Sequence, residues 1–292
     1  MTMVDPDDDL RQQFDAAGLG PHTSTLLALR RPGVRLISRP STEAGLELGR
    51  SRLGGRADLP AGFEWPIFQD APLAFVAQID LAQVHPFDVE GVLPSRGLLS
   101  FFYDADELGV WGFDPADRGG WAVVGTPPGV PLERRDHPAG VGEYSRFPAA
   151  ALSLQTEVRW APEDSFDIEQ VLPTREQRHA YAAVTGQDED AAEPDEPQHR
   201  LLGHPDPIQG DMQTECQLVT HGLYCGDPAA YTGARAEALV PGSGDWRLLL
   251  QIDSDDAAGM MWGDVGRLYY WIRHDRLVEQ AWDETWLVLQ CG

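Results

Sequence analysis

The sequence predicts a β-rich α+β fold, in which antiparallel sheets form two duplicated halves and the helices are short. Three observations predict this fold class: apolar runs with a two-residue period, frequent Gly and Pro between them, and a repeated order of similar segments. Successive side chains of a strand face opposite sides of a sheet, so alternation of apolar and polar residues indicates a half-buried strand. With 30 Gly and 23 Pro in 292 residues, long helices are not expected.

Short helices are predicted before the first strand and before an acidic stretch in the second half of the chain. An acidic start at 6–9 followed by Leu10 and Phe14 is typical of an N-capped helix, and Gly18 ends it. The predicted helices cover about 6–18, 23–31 and 162–184, and the last is expected to break near Pro173.

Similar segments recur in the same order and define pseudo-repeat halves at about 33–160 and 200–292. The matched segments are 53–56 with 202–205, 75–80 with 248–253, 97–103 with 266–272, and 121–124 with 286–289. An insertion around 208–245 lengthens the second half. Matched segments in the same order indicate a duplication, so we expect the halves to superpose within a single compact domain of residues 1–292.

An acidic linker at 187–198 separates the halves. It holds six acidic residues between Asp188 and Glu196, contains Pro, and lacks large apolar side chains. Such a composition buries too little apolar area to offset the entropy of ordering it. We therefore expect the linker to be solvated and dispensable for folding.

The charge of the chain excludes several classes of function. The net charge is −25, and all 22 basic residues are Arg, since the sequence contains no Lys. A chain without Lys cannot form a Schiff base or a phosphate-loop lysine contact. Strong negative charge repels phosphate backbones, so neither nucleic acid nor an anionic membrane is an expected partner.

The cysteine content favours a reducing compartment. Cys216, Cys225 and Cys291 are few and odd in number, which argues against a disulfide scaffold. The N-terminus is acidic, unlike a secretory signal, and no apolar run approaches the roughly 18 residues that span a bilayer. We expect a cytoplasmic protein.

The order of several motifs resembles the YwqG-like family, a domain of unknown function found in bacteria. The segments that carry the resemblance are Ser51-Arg52-Leu53-Gly54-Gly55, Leu59-Pro60, Glu64-Trp65-Pro66, 72–80, 248–253, 261–264 and 266–272. It covers the chain from about residue 20 to the end. Arg56 departs from the family, which usually has an apolar or small residue there. The resemblance implies a mainly antiparallel β fold of duplicated halves, and it implies no activity.

The first candidate binding site consists of polar residues on two matched strands. In 75–81 alternate positions are apolar, whereas Gln78 and Asp80 share the opposite face, and Gln251 and Asp253 repeat this arrangement. Under a pseudo-twofold axis the four side chains could converge on one pocket, where paired carboxylates suit general acid–base chemistry. The alternative is that each Gln satisfies loop backbone groups, because buried polar groups must be paired.

The second candidate is an acidic loop with a cation-like spacing. Asp253, Asp255 and Asp264 fall at the first, third and twelfth positions of a calcium loop. The match is partial, because Ala257 and Ala258 stand where a ligand and a Gly are required. Calcium or another divalent cation is one interpretation, and a solvated turn with Asp side chains on local backbone N–H groups is the other. In both cases the three carboxylates are expected to lie close together.

A third set combines thiols and imidazoles, which suit zinc. Cys216, His221 and Cys225 follow His199 and His204, but their spacing matches no zinc-finger or ribbon pattern. A reduced Cys pair beside ordinary His residues is the alternative.

Sequence motifs of common enzymes are absent, so no catalytic residue is assigned. There is no Gly-x-Ser-x-Gly, His-Glu-x-x-His, Cys-x-x-Cys or Gly-x-Gly-x-x-Gly motif. The sequence favours a non-enzymatic binding protein that presents an acidic face to a basic protein or peptide, as an inhibitor or immunity-type protein does. The alternative is a metal-dependent hydrolase or other small-molecule enzyme that uses the 253–264 loop.

Overall fold

The computed structural model describes residues 7–187 and 196–292. It confirms the predicted class, a β-rich fold with a large, antiparallel, nearly closed sheet and a few short helices. Residues 188–195, most of the predicted acidic linker, lie outside the described residues, and so does the prediction that they are dispensable for folding. No helix in the described ranges combines the length and apolar character that crossing a membrane requires.

Fourteen strands and eight α-helices occur in the described part of the chain. The strands are β1 Arg31–Pro40, β2 Arg52–Leu53, β3 Ala57–Pro60, β4 Ile67–Phe68, β5 Ala71–Pro72, β6 Ala74–Asp80, β7 Leu98–Tyr103, β8 Trp121–Thr126, β9 Leu132–Arg135, β10 Ala150–Arg159, β11 Arg200–Leu202, β12 Trp246–Asp253, β13 Arg267–Arg273 and β14 Trp286–Gln290. The helices are α1 Asp8–Ala16, α2 Thr23–Ala28, α3 Leu81–Val84, α4 Phe166–Val171, α5 Arg175–Thr185, α6 Gln213–Val219, α7 Ala234–Leu239 and α8 His274–Val278.

The predicted helices form close to their expected positions, and local sequence explains their ends. The helix expected over 162–184 is divided into α4 and α5 around Pro173, which cannot continue a helix. Thr174 then begins α5 with a capping box: its hydroxyl accepts from the Gln177 N–H, and the Gln177 side chain accepts from the Thr174 N–H.

Ten strands form one sheet whose order is symmetric about its centre. The order is β14-β13-β12-β11-β1-β10-β2-β6-β7-β8. The strand that carries Gln78 is third from one edge, and the strand that carries Gln251 is third from the other. Both strands also have an irregularity in register two residues before the Gln, at Val76 in β6 and Leu249 in β12.

The registers place a pseudo-twofold axis between β1 and β10. Arg35 of β1 lies opposite Arg200 of β11, and Ala151 of β10 lies opposite Arg52 of β2. A twofold rotation that places β1 on β10, with Arg35 on Ala151, also places their ladder partners on each other. It maps the pair Ile37–Ser153 onto itself. The axis therefore passes through the middle of that central pair. As a result, β1 pairs with the group β11 to β14, and β10 pairs with the group β2, β6, β7 and β8.

The registers also correct two sequence matches by one residue. Arg52 lies opposite Gln78 and Arg200 opposite Gln251, so Leu53 corresponds to Leu201, not to Leu202. Gly54 and Gly55 then correspond to Leu202 and Gly203, and all four have φ between +54° and +73°. The sequence match was wrong because it aligned glycines, whereas Leu202 adopts the left-handed conformation without being Gly.

The same error affects the last matched strand. Phe102 of β7 corresponds to Trp271 of β13, and these two residues lie opposite Ala122 and Trp286. Trp286 therefore corresponds to Ala122, not to Trp121. Both tryptophans belong to the core, where their ring centroids lie 4.7 Å apart.

The main core lies inside the curled sheet, where strands of the two edge groups meet. Phe101 and Tyr270 occupy equivalent positions and contact each other with ring centroids 5.1 Å apart. The Tyr270 hydroxyl also donates to the Phe102 carbonyl oxygen. A second apolar cluster joins α1, α2, α4 and α5, and a third covers the outer face of β6 and β7 beneath β3. These layers leave loops at the sheet edges free to form sites.

Candidate functional site

A buried polar cluster surrounds Gln78 in the first half. The guanidinium of Arg52 contacts the Asp58 carboxylate at 2.7 Å, and both side chains are 0% exposed. The Gln78 side-chain amide donates to Asp58 (2.9 Å) and to the Arg50 carbonyl (2.8 Å), and its oxygen accepts from the Asp58 N–H. Arg134 adds a second guanidinium at 2.9 Å from Asp58.

An equivalent cluster surrounds Gln251 in the second half. Arg200 is fully buried and pairs with Asp206, six residues later, as Arg52 pairs with Asp58. The Gln251 amide donates to the Gln198 carbonyl (2.6 Å), and its oxygen accepts from the Asp206 N–H (2.9 Å). Arg159 supplies the second guanidinium on Asp206. The Arg–Asp pair and the bonds of each Gln with backbone groups recur at equivalent places, whereas the second guanidinium comes from β9 in one cluster and from β10 in the other.

The first candidate set is thereby divided between two separate places. Gln78 and Gln251 are buried, and the bonds described above occupy both polar atoms of each side chain. Asp80 caps α3 by accepting from the Ala82 N–H, and Asp253 pairs with Arg267 at 3.0 Å. None of the four lines the cleft described below. Their contacts favour the satisfaction of loop backbone over the binding of a ligand.

The second candidate set lies on the turn after β12, where the carboxylates have protein partners. His199 Nδ1 accepts from the Asp253 N–H, so Nε2 carries the proton and donates to Asp255 at 3.1 Å. Burial opposes ionisation of Asp255, but the hydrogen bonds from His199 and Ser38 lower its pKa to about 2. Asp264 is exposed.

Metal-ligating residues do not gather in the part of the chain that the structure describes. Across 7–187 and 196–292, no group of three or more His, Cys, Asp or Glu side chains is placed to hold a metal ion. Cys216 and Cys225 are buried free thiols, and burial raises the pKa of Cys225 to about 11. His204 Nε2 lies 2.7 Å from the Leu29 carbonyl oxygen.

A cleft at the β14 edge is the candidate site that joins aromatic and acidic residues. Its volume is about 490 Å³, within the range of small-ligand sites. Its walls come from three aromatic residues, two acids, two amides and two aliphatic residues: Trp111, Phe113, Tyr231, Asp211, Glu215, Gln209, Gln290, Val288 and Leu289. None of these described lining residues is Arg or His.

The aromatic wall is fixed by backbone bonds between distant parts of the chain. The Leu289 N–H donates to the Trp111 carbonyl at 2.9 Å, and the Cys225 N–H donates to the Phe113 carbonyl at 2.7 Å. Between the two aromatics, Gly112 has φ +92°, a conformation that favours glycine. This segment of the first half is thereby attached to β14 and to the insertion of the second half.

The two acids of the cleft, Asp211 and Glu215, lie at the start of α6. The Asp211 carboxylate accepts from the N–H groups of Gln213 and Thr214, which satisfies donors at the start of the helix. Asp211 precedes the helix and Glu215 lies in its first turn, and both line the cleft. The Tyr231 hydroxyl donates to Glu215 at 3.4 Å.

The protonation of Glu215 changes near neutral pH. Burial raises its pKa to about 7, the neighbouring Asp211 adds to the rise, and the hydrogen bond from Tyr231 opposes it. Burial also raises the pKa of Asp211, against the effect of its hydrogen bonds with backbone N–H groups. Desolvation has this effect because it penalises a carboxylate that lacks a cation. The cleft therefore holds negative charge that a bound cation would stabilise.

Sequence reasoning did not identify this site. It treated 208–245 as an insertion between matched segments, although this insertion supplies Asp211, Glu215 and Tyr231. The available signal was the insertion itself, since a segment present in one half and absent from the other is a natural place for function. The bond of this insertion to Phe113 left no pattern in the sequence.

A protein-family model matches residues 51–291 of the chain, and the family is described as a domain of unknown function (DUF1963). The matched range contains every residue that lines the cleft. No curated protein matches the chain.

Proposed function

The chain belongs to the family of DUF1963, a domain of unknown function, and we propose that it is a binding protein whose cleft receives a cationic side chain of a basic protein or peptide. The observation that carries the proposal is the combination of three aromatic rings with two partly buried carboxyl groups in one cleft. Aromatic faces attract cations, and a buried carboxylate gains most from a cation that replaces lost hydration.

The size and charge of the cleft favour an arginine or lysine side chain. A long aliphatic stem can lie against the rings of Trp111 and Phe113 while its charged end reaches Glu215. The net charge of −25 increases the rate at which basic partners meet the protein. The cleft then selects among them by shape.

The finer expectations from the sequence belong to this proposal. These are an inhibitor or immunity-type role, a YwqG-like relationship, a bacterial origin and a cytoplasmic location. The three free cysteines suit a reducing compartment, and the acidic charge suits a basic partner. A single compact domain with duplicated halves is also proposed, with the boundary near residue 149, so that β10 opens the second half. The hydrolase alternative has less support, because Asp253 and Asp255 are occupied by Arg267 and His199.

Calorimetric titration with a capped hexa-arginine peptide tests the proposal. We expect saturable binding, and we expect a hexa-citrulline peptide of nearly identical shape to bind at least about tenfold more weakly, because it lacks the charge. Equal affinity for the two peptides would show that the cleft does not select a cation.

The matched variants are Glu215→Gln and Glu237→Gln, which remove the same charge from the cleft and from the exposed face of α7. At pH 8, Glu215→Gln should weaken hexa-arginine binding by about tenfold, and Glu237→Gln by less than about twofold. Equal losses would mean that the peptide responds to overall charge and not to the cleft.

Affinity for hexa-arginine should rise when the pH is raised from 6 to 8. With a pKa of about 7, Glu215 is mostly neutral at pH 6 and mostly ionised at pH 8, whereas arginine stays charged throughout. The gain should reach at most about tenfold and should vanish in Glu215→Gln. A flat profile for the unmodified chain, measured by the same calorimetry, would refute the role of Glu215.

A further inference from the structure

A small slot adjoins the cleft, and Asp211 lines both spaces. Its walls include Pro205, Pro207 and Met212, with Trp271 of β13 at the sheet. Its volume is about 10 Å³, which suits one oxygen atom but no larger group. The slot can therefore receive the end of a polar group and no side chain.

One of the residues that line this slot carries an unpartnered donor. Trp271 is 2% exposed, and its indole Nε1–H is buried without a hydrogen-bond partner among the residues that the structure describes. The indole nitrogen is a donor only, so an acceptor atom must satisfy it. A buried donor left unpaired is unfavourable, and the buried tryptophans Trp246 and Trp286 each donate to an oxygen.

The equivalent position in the first half carries no such donor. Phe102 corresponds to Trp271 in the sheet register. It is covered by the rings of Trp65 and Phe75, with centroids 5.3 and 5.6 Å away, within the apolar cluster under β3. The first half therefore has a packed apolar side chain, Phe102, at the position where the second half has Trp271 and the slot.

We propose that Trp271 Nε1 donates to a backbone carbonyl oxygen of the bound peptide, next to the cationic side chain that enters the cleft. This rests on the proposed function and adds a requirement: the ligand must be a peptide, not only a cation. The slot would fix the position of the carbonyl oxygen relative to the cation, because Asp211 lines both spaces.

The test compares Trp271→Phe with the unmodified chain, using hexa-arginine and spermine as probes. Phenylalanine is the residue at the equivalent position, so the variant should fold. Hexa-arginine offers both cations and carbonyl groups, whereas spermine offers cations alone. We expect Trp271→Phe to weaken hexa-arginine binding about fivefold and to leave spermine binding unchanged.

A spectroscopic measurement on the unmodified chain supports the assignment independently. The Trp271 indole N–H resonance should move downfield when hexa-arginine binds, and it should stay in place with spermine. The inference fails if Trp271→Phe changes both affinities equally or neither, or if an ordered water remains on Nε1 in the complex. A loss of affinity in Glu215→Gln but none in Trp271→Phe would retain the proposed function and reject this inference alone.

Discussion

Replacing Gly112 with Ala should destabilise the protein by about 3 kcal/mol or more. Gly112 has φ +92°, and an added Cβ would lie 1.9 Å from the Leu287 carbonyl oxygen. That oxygen belongs to β14, so the backbone of the edge strand or of the 111–113 segment must move. Because Trp111 and Phe113 flank this glycine, hexa-arginine binding should be lost as well. Urea denaturation and calorimetry measure the two effects.

Gly129→Ala is the control for the backbone conformation. Gly129 has φ +84° but no heavy atom within 4 Å of an added Cβ. It should cost only about 1 kcal/mol, the ordinary penalty of a left-handed non-glycine residue. Similar losses in the two variants would contradict the close approach of Gly112 to β14.

Replacing Arg52 with Met should cost about 3 kcal/mol of unfolding free energy. The change removes the guanidinium that lies 2.7 Å from Asp58, and it leaves that carboxylate buried with Arg134 as its remaining ion-pair partner among the described residues. Breaking one side of a buried ion pair is strongly destabilising because the other charge stays desolvated. Urea denaturation measures the loss.

Two further variants make this result interpretable. Arg50→Met removes a guanidinium that is 48% exposed and should cost less than about 1 kcal/mol. Adding Asp58→Asn to Arg52→Met should recover part of the loss, since the uncompensated charge is removed. If Arg52→Met costs no more than Arg50→Met, the cluster does not stabilise the fold.

The strands of the matched segments and their order in the chain could be predicted because their signals are local. The alternation in 75–81 and the Gln-x-Asp pattern in β6 and β12 are both visible in the sequence. The exact equivalence of Gly54 with Leu202 could not be predicted, since a leucine with φ +60° is held there by its surroundings. The pairing of β1 with β11 and of β10 with β2 could not be predicted either, because it joins strands that are distant in sequence.

The candidate sites were harder to predict because the sequence does not reveal which polar residues already have partners. Gln78 and Gln251 are as polar as any ligand-binding residue, but their bonds are used within the fold. Glu215 lies in an insertion, and its unusual pKa arises from burial by residues distant in sequence. Composition indicated an acidic protein, whereas only the assembled structure shows where acidity and aromatic rings meet.

The most direct measurement of the central claim is a nuclear Overhauser experiment on the protein bound to hexa-arginine. The cleft predicts contacts from arginine side-chain methylene protons to the rings of Trp111, Phe113 and Tyr231. These contacts should weaken together when Glu215 is replaced by Gln. Saturable binding with contacts only at acidic surfaces outside the cleft would contradict the claim that the cleft receives the cationic side chain.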